Sequence, residues 1–230
     1  MIKLLLIEDD INLGYIIKSS LEEIIGGYEV VTASNGEEGL EDLKEYSPDL
    51  IVSDIDMPVL NGLEMVRKIR QTDQQIPIVF ATGKTSSKDV TIGYEAGVNN
   101  YIKKPFLPEE LDAHIKALLQ YAQGKRTKPV QEVYNLGRFE FTPKLYLLKH
   151  DDMKQNLTAR ESQILEELCK RKGEVVLREE LLKKFWGTDD YFTSRSLDVF
   201  ISKMRKYLSG DSTVSIKNIK GVGLILECLS

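Results

Sequence analysis

Five short apolar runs, each ending at or just before a polar residue and each followed by a helix-like stretch, fill the first half of the chain. Lys3–Ile7, Tyr28–Ala33, Asp49–Asp54, Ile76–Ala81 and Asn100–Lys103 read as strands. Helical patterns occupy Ile11–Ile25, Glu37–Glu45, Gly62–Gln71, residues 86–96 and Pro108–Gln120. Gly26-Gly27 and Gly97 stand where helices stop, and Pro108 stands in a first turn. Such repetition predicts an α/β doubly wound, five-stranded parallel sheet with helices on both faces. In that architecture ligands meet the carboxyl ends of the strands. Glu8-Asp9-Asp10 follows the first run, Asp54 closes the third with Asp56 and Pro58 just beyond, and Lys104 closes the fifth. Two carboxylate clusters and one lysine form a donor set suited to Mg²⁺ and a phosphoryl group.

The length of 230 residues allows two ordinary domains. Charge divides accordingly: residues 1–129 carry 14 Lys+Arg against 21 Asp+Glu, and residues 130–230 carry 17 against 15. The acidic first half and mildly basic second half suggest two modules. Two cysteines, Cys169 and Cys228, make no disulfide framework and have no metal-ligand spacing, which predicts a reducing, cytoplasmic setting. No apolar run approaches the roughly 20 residues that span a bilayer, so no membrane association is expected.

With Glu8-Asp9, Asp54, Met57-Pro58, Thr82, Tyr101 and Lys104-Pro105 each at a strand end, the first 120 residues resemble a response-regulator receiver domain of flavodoxin-like order. The resemblance implies that Asp54 is the phosphoacceptor. Mg²⁺ would be held by Asp9, Asp54 and the backbone carbonyl of Asp56, with Glu8 acting through a bound water. Lys104 would pair with a phosphate oxygen, and Lys104-Pro105 is a candidate cis peptide. Thr82 would donate its hydroxyl to the phosphoryl group, and Tyr101 would turn inward as Thr82 moves, remodelling the surface of the fourth helix, fifth strand and fifth helix. Relatives usually form homodimers through that face using charge pairs. Here Asn99-Asn100 replace two acids, His114 replaces an arginine, and Val90 and Ile92 stand where basic residues are common, while Glu110 is retained. A weaker or more apolar interface is expected, carried by Val90, Ile92 or Tyr94 unless these are core. Asp56 is charged where relatives commonly carry an apolar residue, and Gly83 stands in place of the usual alanine.

Gln123–Pro129 is polar and basic and reads as a linker. Beyond it, residues 133–150 suggest a small antiparallel sheet, and Thr158-Ala-Arg-Glu161 is a capping box opening a helix with Ile164, Leu165 and Leu168 inward. Helices over Arg178–Phe185 and Ser194–Leu208 follow, then strands Ile216–Ile219 and Leu224–Cys228 around Gly221-Val-Gly223. At 100° per residue, Leu197, Ile201, Met204 and Leu208 share one arc. Arg195, Asp198, Val199, Ser202 and Lys206 oppose it, flanked by Lys203 and Arg205. Leu157-Thr-x-x-Glu161, Phe185-Trp-Gly, Ser194–Val199, Arg205-Lys206 and Gly221-Val-Gly223 resemble the winged helix-turn-helix (α+β) domain of OmpR/PhoB-type regulators. That implies double-stranded DNA, as direct-repeat half-sites, met by Arg195, Val199, Ser202, Lys203, Arg205 and Lys206 from the recognition helix. Asn218 and Lys220 would act from the wing, and residues 187–193 match a loop that meets RNA polymerase in relatives.

The expected organisation is therefore a receiver over 1–121, a linker over 122–131 and a DNA-binding domain over 132–230. The expected function is a two-component transcriptional regulator phosphorylated by a histidine kinase, not a turnover enzyme. Two alternatives stay open. Asp54-Ile-Asp56 also resembles the Asp-x-Asp of haloacid-dehalogenase-type phosphatases, although there the pair ends the first strand and threonine, not Pro58, follows. The missing interface charges also fit a regulator that binds DNA constitutively.

Overall fold

A computed structural model describes residues 1–83, 86–122, 133–151, 153–187 and 191–229. From residue 123 the expected linker lies outside the described residues, as does the centre of the 187–193 loop. The chain forms two compact units, Met1–Gln120 and Tyr121–Ser230. No helix among the described residues is long and apolar enough to cross a membrane.

In the first unit the strands are β1 (Ile2–Ile7), β2 (Tyr28–Ala33), β3 (Leu50–Ser53), β4 (Ile78–Thr82) and β5 (Asn100–Lys103). They pair in parallel in the order β2-β1-β3-β4-β5. The helices are α1 (Ile11–Ser19), α2 (Gly36–Tyr46), α3 (Gly62–Thr72), α4 (Ser87–Ala96) and α5 (Pro108–Ala122). Alternate residues of each strand feed two cores, because strand side chains alternate between faces. Leu4, Leu6, Val52 and Val79 join Ile17, Leu111 and Ile115 on one side. Leu5, Ile7, Ile51 and Phe80 join Met65, Val66 and Ile69 on the other. Since β1 has β2 on one flank and β3 on the other, the winding reverses there. The crevice at that switch point opens beyond the carboxyl ends of β1 and β3.

The first helix departs from the sequence expectation. It does not run uniformly from Ile11 to Ile25 but changes at Ser20 to a π-helical turn, Ser20–Ile25. Its last bond spans five residues, from Gly26 N–H to the Leu21 carbonyl at 3.0 Å. This end of the helix serves the edge strand β2. Lys18 Nζ donates to the Val30 carbonyl at 2.6 Å, and Glu22 Oε1 accepts from Val30 N–H at 2.7 Å. Two side chains thus satisfy backbone groups that a sheet edge would otherwise present to other chains.

The second unit begins with an antiparallel sheet of β6 (Tyr134–Leu136), β7 (Phe139–Thr142), β8 (Leu147–His150) and β9 (Met153–Asn156), paired in chain order. Three helices follow, α6 (Ala159–Lys170), α7 (Arg178–Trp186) and α8 (Tyr191–Tyr207). Strand β10 (Val175–Leu177) and the hairpin β11 (Val214–Ile219) and β12 (Gly223–Cys228) form a sheet ordered β10-β12-β11. Helix α8 starts at Tyr191, earlier than the Ser194 expected from periodicity. Arg178 fixes its first turns: the guanidinium reaches Ser194 Oγ at 3.1 Å and Asp198 Oδ1 at 2.8 Å.

Between β3 and α3, Val59 has φ 65° and is 76% exposed. A left-handed conformation costs an L-residue roughly 1–2 kcal/mol, and little packing offsets it here. Val59→Gly should stabilise the first unit by roughly 1 kcal/mol, read as a higher denaturant midpoint at unchanged slope. A lower midpoint would contradict strain at this turn.

Candidate functional site

The charged residues singled out in sequence converge where the winding reverses. Glu8 and Asp9 leave β1, Asp54 leaves β3, Thr82 ends β4 and Lys104 leaves β5. Lys104 Nζ lies 2.7 and 2.6 Å from the two Glu8 carboxylate oxygens and 2.6 Å from Asp54 Oδ2. Asp54 Oδ1 accepts from Ile55 N–H at 2.5 Å, so the carboxylate is oriented from both sides. The loop beyond it closes tightly, with Gly62 N–H donating to the Ile55 carbonyl at 2.9 Å. A Cβ at position 62 would overlap the Asp54 carbonyl oxygen, so glycine is required there by space.

One carboxylate oxygen from each of Glu8, Asp9 and Asp54 lies within 4.8 Å of the others. Three hard oxygen donors at that spacing suit a divalent cation. Asp10, the third acid of the run, caps α1 instead, accepting from Asn12 and Leu13 N–H at 3.0 and 3.1 Å. The Asp56 side chain is exposed and stands outside this carboxylate group. Burial raises the Glu8 pKa, more than its hydrogen bond to Lys104 lowers it. For Lys104, burial works against the ammonium, but the hydrogen bonds to Asp54 and Glu8 outweigh it and the pKa rises. The Lys104-Pro105 peptide is cis, as its sequence suggested.

Thr82 is buried at the end of β4, and Tyr101 points inward from β5. The Tyr101 hydroxyl donates to the Asp89 carbonyl of α4 at 3.2 Å. Its ring stands edge-on to Phe80 at 5.4 Å and tilted against Tyr94 at 5.1 Å. Burial pushes its hydroxyl pKa well up.

The surrounding face corrects one expectation. Val90 and Tyr94 are both 1% exposed and belong to the core, so they present no apolar surface to a second chain. Ile92 is only partly buried. Asn99 and Asn100 are also inside. Asn99 Oδ1 accepts from Arg70 Nη2 at 3.1 Å and from Ile78 N–H at 2.8 Å. The Asn100 amide meets His114 Nδ1 at 2.7 Å.

On the second unit, α8 exposes Arg195, Ser202 and Lys206 with Val199 partly covered, and the wing exposes Asn218 and Lys220. Two residues of the sequence reading are engaged internally. Lys203 pairs with the buried Glu161 at 3.2 Å. Arg205 donates to the Ile216 carbonyl at 2.8 Å and to Asn218 Oδ1 at 3.0 Å, tying helix to wing. The position of Lys203 was readable in principle, since it stands between the core-side Phe200 and Tyr207 at helical spacing. Glu161 also completes the capping box, accepting from Thr158 N–H at 2.8 Å. No local pattern indicates that this same carboxylate holds α8. Lys217, not singled out in sequence, is a further exposed wing cation and pairs with Glu227 at 2.5 Å.

These contacts separate two lysines of one helix. Lys203→Ala leaves Glu161 buried without its cation and should destabilise the second unit by about 1–3 kcal/mol. Lys206→Ala should change stability by less than about 0.5 kcal/mol. Thermal unfolding followed by the single tryptophan, Trp186, distinguishes them. Equal losses for both variants would contradict the assignment.

Residues 4–116 match the response regulator receiver domain family, and residues 152–226 match the family described as transcriptional regulatory protein, C terminal. The chain is 37% identical over 222 residues to the transcriptional regulatory protein RprY of Bacteroides fragilis, covering 96% of this chain and 93% of that one. It is 33% identical over 235 residues to the alkaline phosphatase synthesis transcriptional regulatory protein PhoP of Bacillus subtilis, covering 98% and 96%. The crystal structure of the Thermotoga maritima response regulator DrrB, an OmpR/PhoB homologue, aligns over 99% of both chains with TM-score 0.51 and 30% identity. The chain therefore belongs to the OmpR/PhoB-type two-component response regulators, phosphorylation-regulated DNA-binding transcription factors made of a receiver domain and a winged-helix domain.

Proposed function

We propose that Asp54 accepts a phosphoryl group from the phosphohistidine of a histidine kinase, with Mg²⁺, and that this controls pairing of receivers and occupancy of DNA. The observation that carries the reading is Lys104 bridging Glu8 and Asp54 beside a three-carboxylate group. Asp9 and Asp54, with the backbone carbonyl of Asp56, would hold the cation, and Glu8 would act through water. When bound, Mg²⁺ supplies the positive charge that lets a carboxylate meet an anionic phosphate. An Asp54 oxygen forms the bond to phosphorus as the P–N bond to the donor breaks. The imidazole nitrogen keeps the electron pair and takes a proton from solvent. Lys104 exchanges its Asp54 contact for a charge-assisted bond to a phosphoryl oxygen, and the Thr82 hydroxyl donates to another. Tyr101 reports the change on the surface of α4, β5 and α5, where receivers pair. A phosphoryl group biases two existing states rather than creating one.

On the DNA side, Arg195, Val199, Ser202 and Lys206 present the readout face, with Asn218 and Lys220 on the wing. Lys203 and Arg205 support that surface from within the domain and are secondary contacts. Pairing two modules on direct repeats raises affinity through effective concentration. Contact of the 187–193 loop with RNA polymerase belongs to the same reading.

A second reading has one observation in its favour. Positions 99 and 100 are neutral amides bonded within their own chain, so they offer no charge pairs to a second receiver, which fits constitutive DNA binding.

Asp54→Asn should abolish labelling by a radiolabelled phosphoryl donor with Mg²⁺, and chelation should abolish it in the wild type. Persistent label in the variant would sink the phosphoacceptor assignment. A DNA titration with and without a phosphoryl mimic separates the two readings, since constitutive binding predicts superimposed curves. Lys206→Ala and Lys220→Ala should each lower the salt dependence of binding by roughly one unit of slope if they meet phosphate.

A further inference from the structure

Gly93 sits inside α4, where glycine is the poorest helix former apart from proline. Its backbone is not left-handed, so conformational freedom does not explain it. Space does. A Cβ at position 93 would overlap the Tyr101 hydroxyl and lie 2.6 Å from Cζ and 3.0 Å from Cε2. The hydroxyl lies over this turn because it donates to the Asp89 carbonyl, four residues before Gly93. Phe80 and Tyr94 flank the ring from other directions.

We propose that Gly93 is the notch in α4 that admits the Tyr101 ring to its inner position, and so is the positioning residue that links the phosphoryl site to the α4–β5 surface. The inference rests on the reading of Thr82 and Tyr101 as the switch. With any side chain at position 93, the ring is excluded from the notch and the Asp89 carbonyl loses its phenolic donor. Asp54 chemistry should be unchanged, because the atoms nearest to a Cβ at position 93 all belong to Tyr101.

The test uses the full chain in two arms. In the first, Gly93→Ala is compared in the wild type and in Tyr101→Ala by melting of the first unit, followed through tyrosine near-ultraviolet dichroism, with Trp186 reporting the second unit. The notch predicts a lowered midpoint in the wild type, and an unchanged or raised one once the ring is gone, since alanine favours helix. An equal drop in both backgrounds overturns it. If Gly93→Ala alone fails to fold, rescue by Tyr101→Ala supports the notch and failure of both variants overturns it. In the second arm, Asp54 labelling and the gain in DNA affinity with a phosphoryl mimic are measured together. Unchanged labelling with the gain reduced at least threefold is expected. A full gain, or loss of labelling itself, overturns the proposal. Absence of labelling in the wild type would remove the phosphoacceptor reading, while the melting arm would still decide whether Gly93 holds the ring.

Discussion

The Lys104 ammonium is the contact on which the first unit's chemistry depends. It lies within 2.7 Å of carboxylate oxygens on both Glu8 and Asp54. Those three residues follow β1, β3 and β5, which are not all neighbours in the sheet. Two carboxylates held this close repel each other, and burial adds to the cost of their charges. A cation on a long, flexible stem answers both problems while leaving room for rearrangement. Lysine suits this place better than arginine, because a compact ammonium can trade one oxygen for another without a planar fork to reorient. The same contact makes the site responsive: a phosphoryl group on Asp54 would compete for the cation that now balances Glu8.

The second unit uses a buried carboxylate differently. Glu161 is 2% exposed and satisfies the Thr158 N–H, the Lys203 ammonium and, at 3.4 Å, the Tyr207 hydroxyl. One side chain thus caps the start of α6 and registers α8 against it. Arg178 does the same for the other end of α8 through Ser194 and Asp198, and Arg205 links its last turns to the wing. The exposed face formed by Arg195, Ser202 and Lys206 is therefore held on a helix braced at three points. That rigidity is what a surface matched to a groove requires.

The sequence revealed what depends on local period and on strand ends. Asp54, Glu8, Asp9 and Lys104 were legible because each breaks an apolar run where a parallel sheet leaves its ligands. The capping box at Thr158 was legible because its spacing is local. The departures share another cause. Val90 and Tyr94 sit on a helix whose apolar pattern is weak, so only packing could decide that they are core. Lys203 and Arg205 looked available because charge on a helix flank reads as solvated until its partner, Glu161 or Asn218, is known. Gly93 drew no reading from sequence, since nothing local says that a tyrosine eight positions later lies against it. The π turn at Ser20–Ile25 carries Glu22 to the edge of β2, a contact that periodicity does not contain.

The amides at positions 99 and 100 are best understood through what they do. Asn99 Oδ1 accepts from Arg70 and from Ile78 N–H, two roles an oxygen can fill without full charge. Arg70 is otherwise answered by the carbonyls of Gly97, Asp73 and Ile76 at 3.0, 2.9 and 2.7 Å. These include the C-terminal ends of α3 and α4, where the helix dipole already favours a cation. Asn100 differs, because its oxygen accepts from Tyr101 N–H at 2.9 Å. That fixes the amide orientation and turns its N–H₂ toward His114 Nδ1, which must offer a lone pair. An aspartate at 100 would instead accept from an Nδ1–H, so the amide selects the His114 tautomer whose Nδ1 is unprotonated. Both amides are thus partnered inside the chain, and Tyr101 is bonded through its backbone N–H to Asn100.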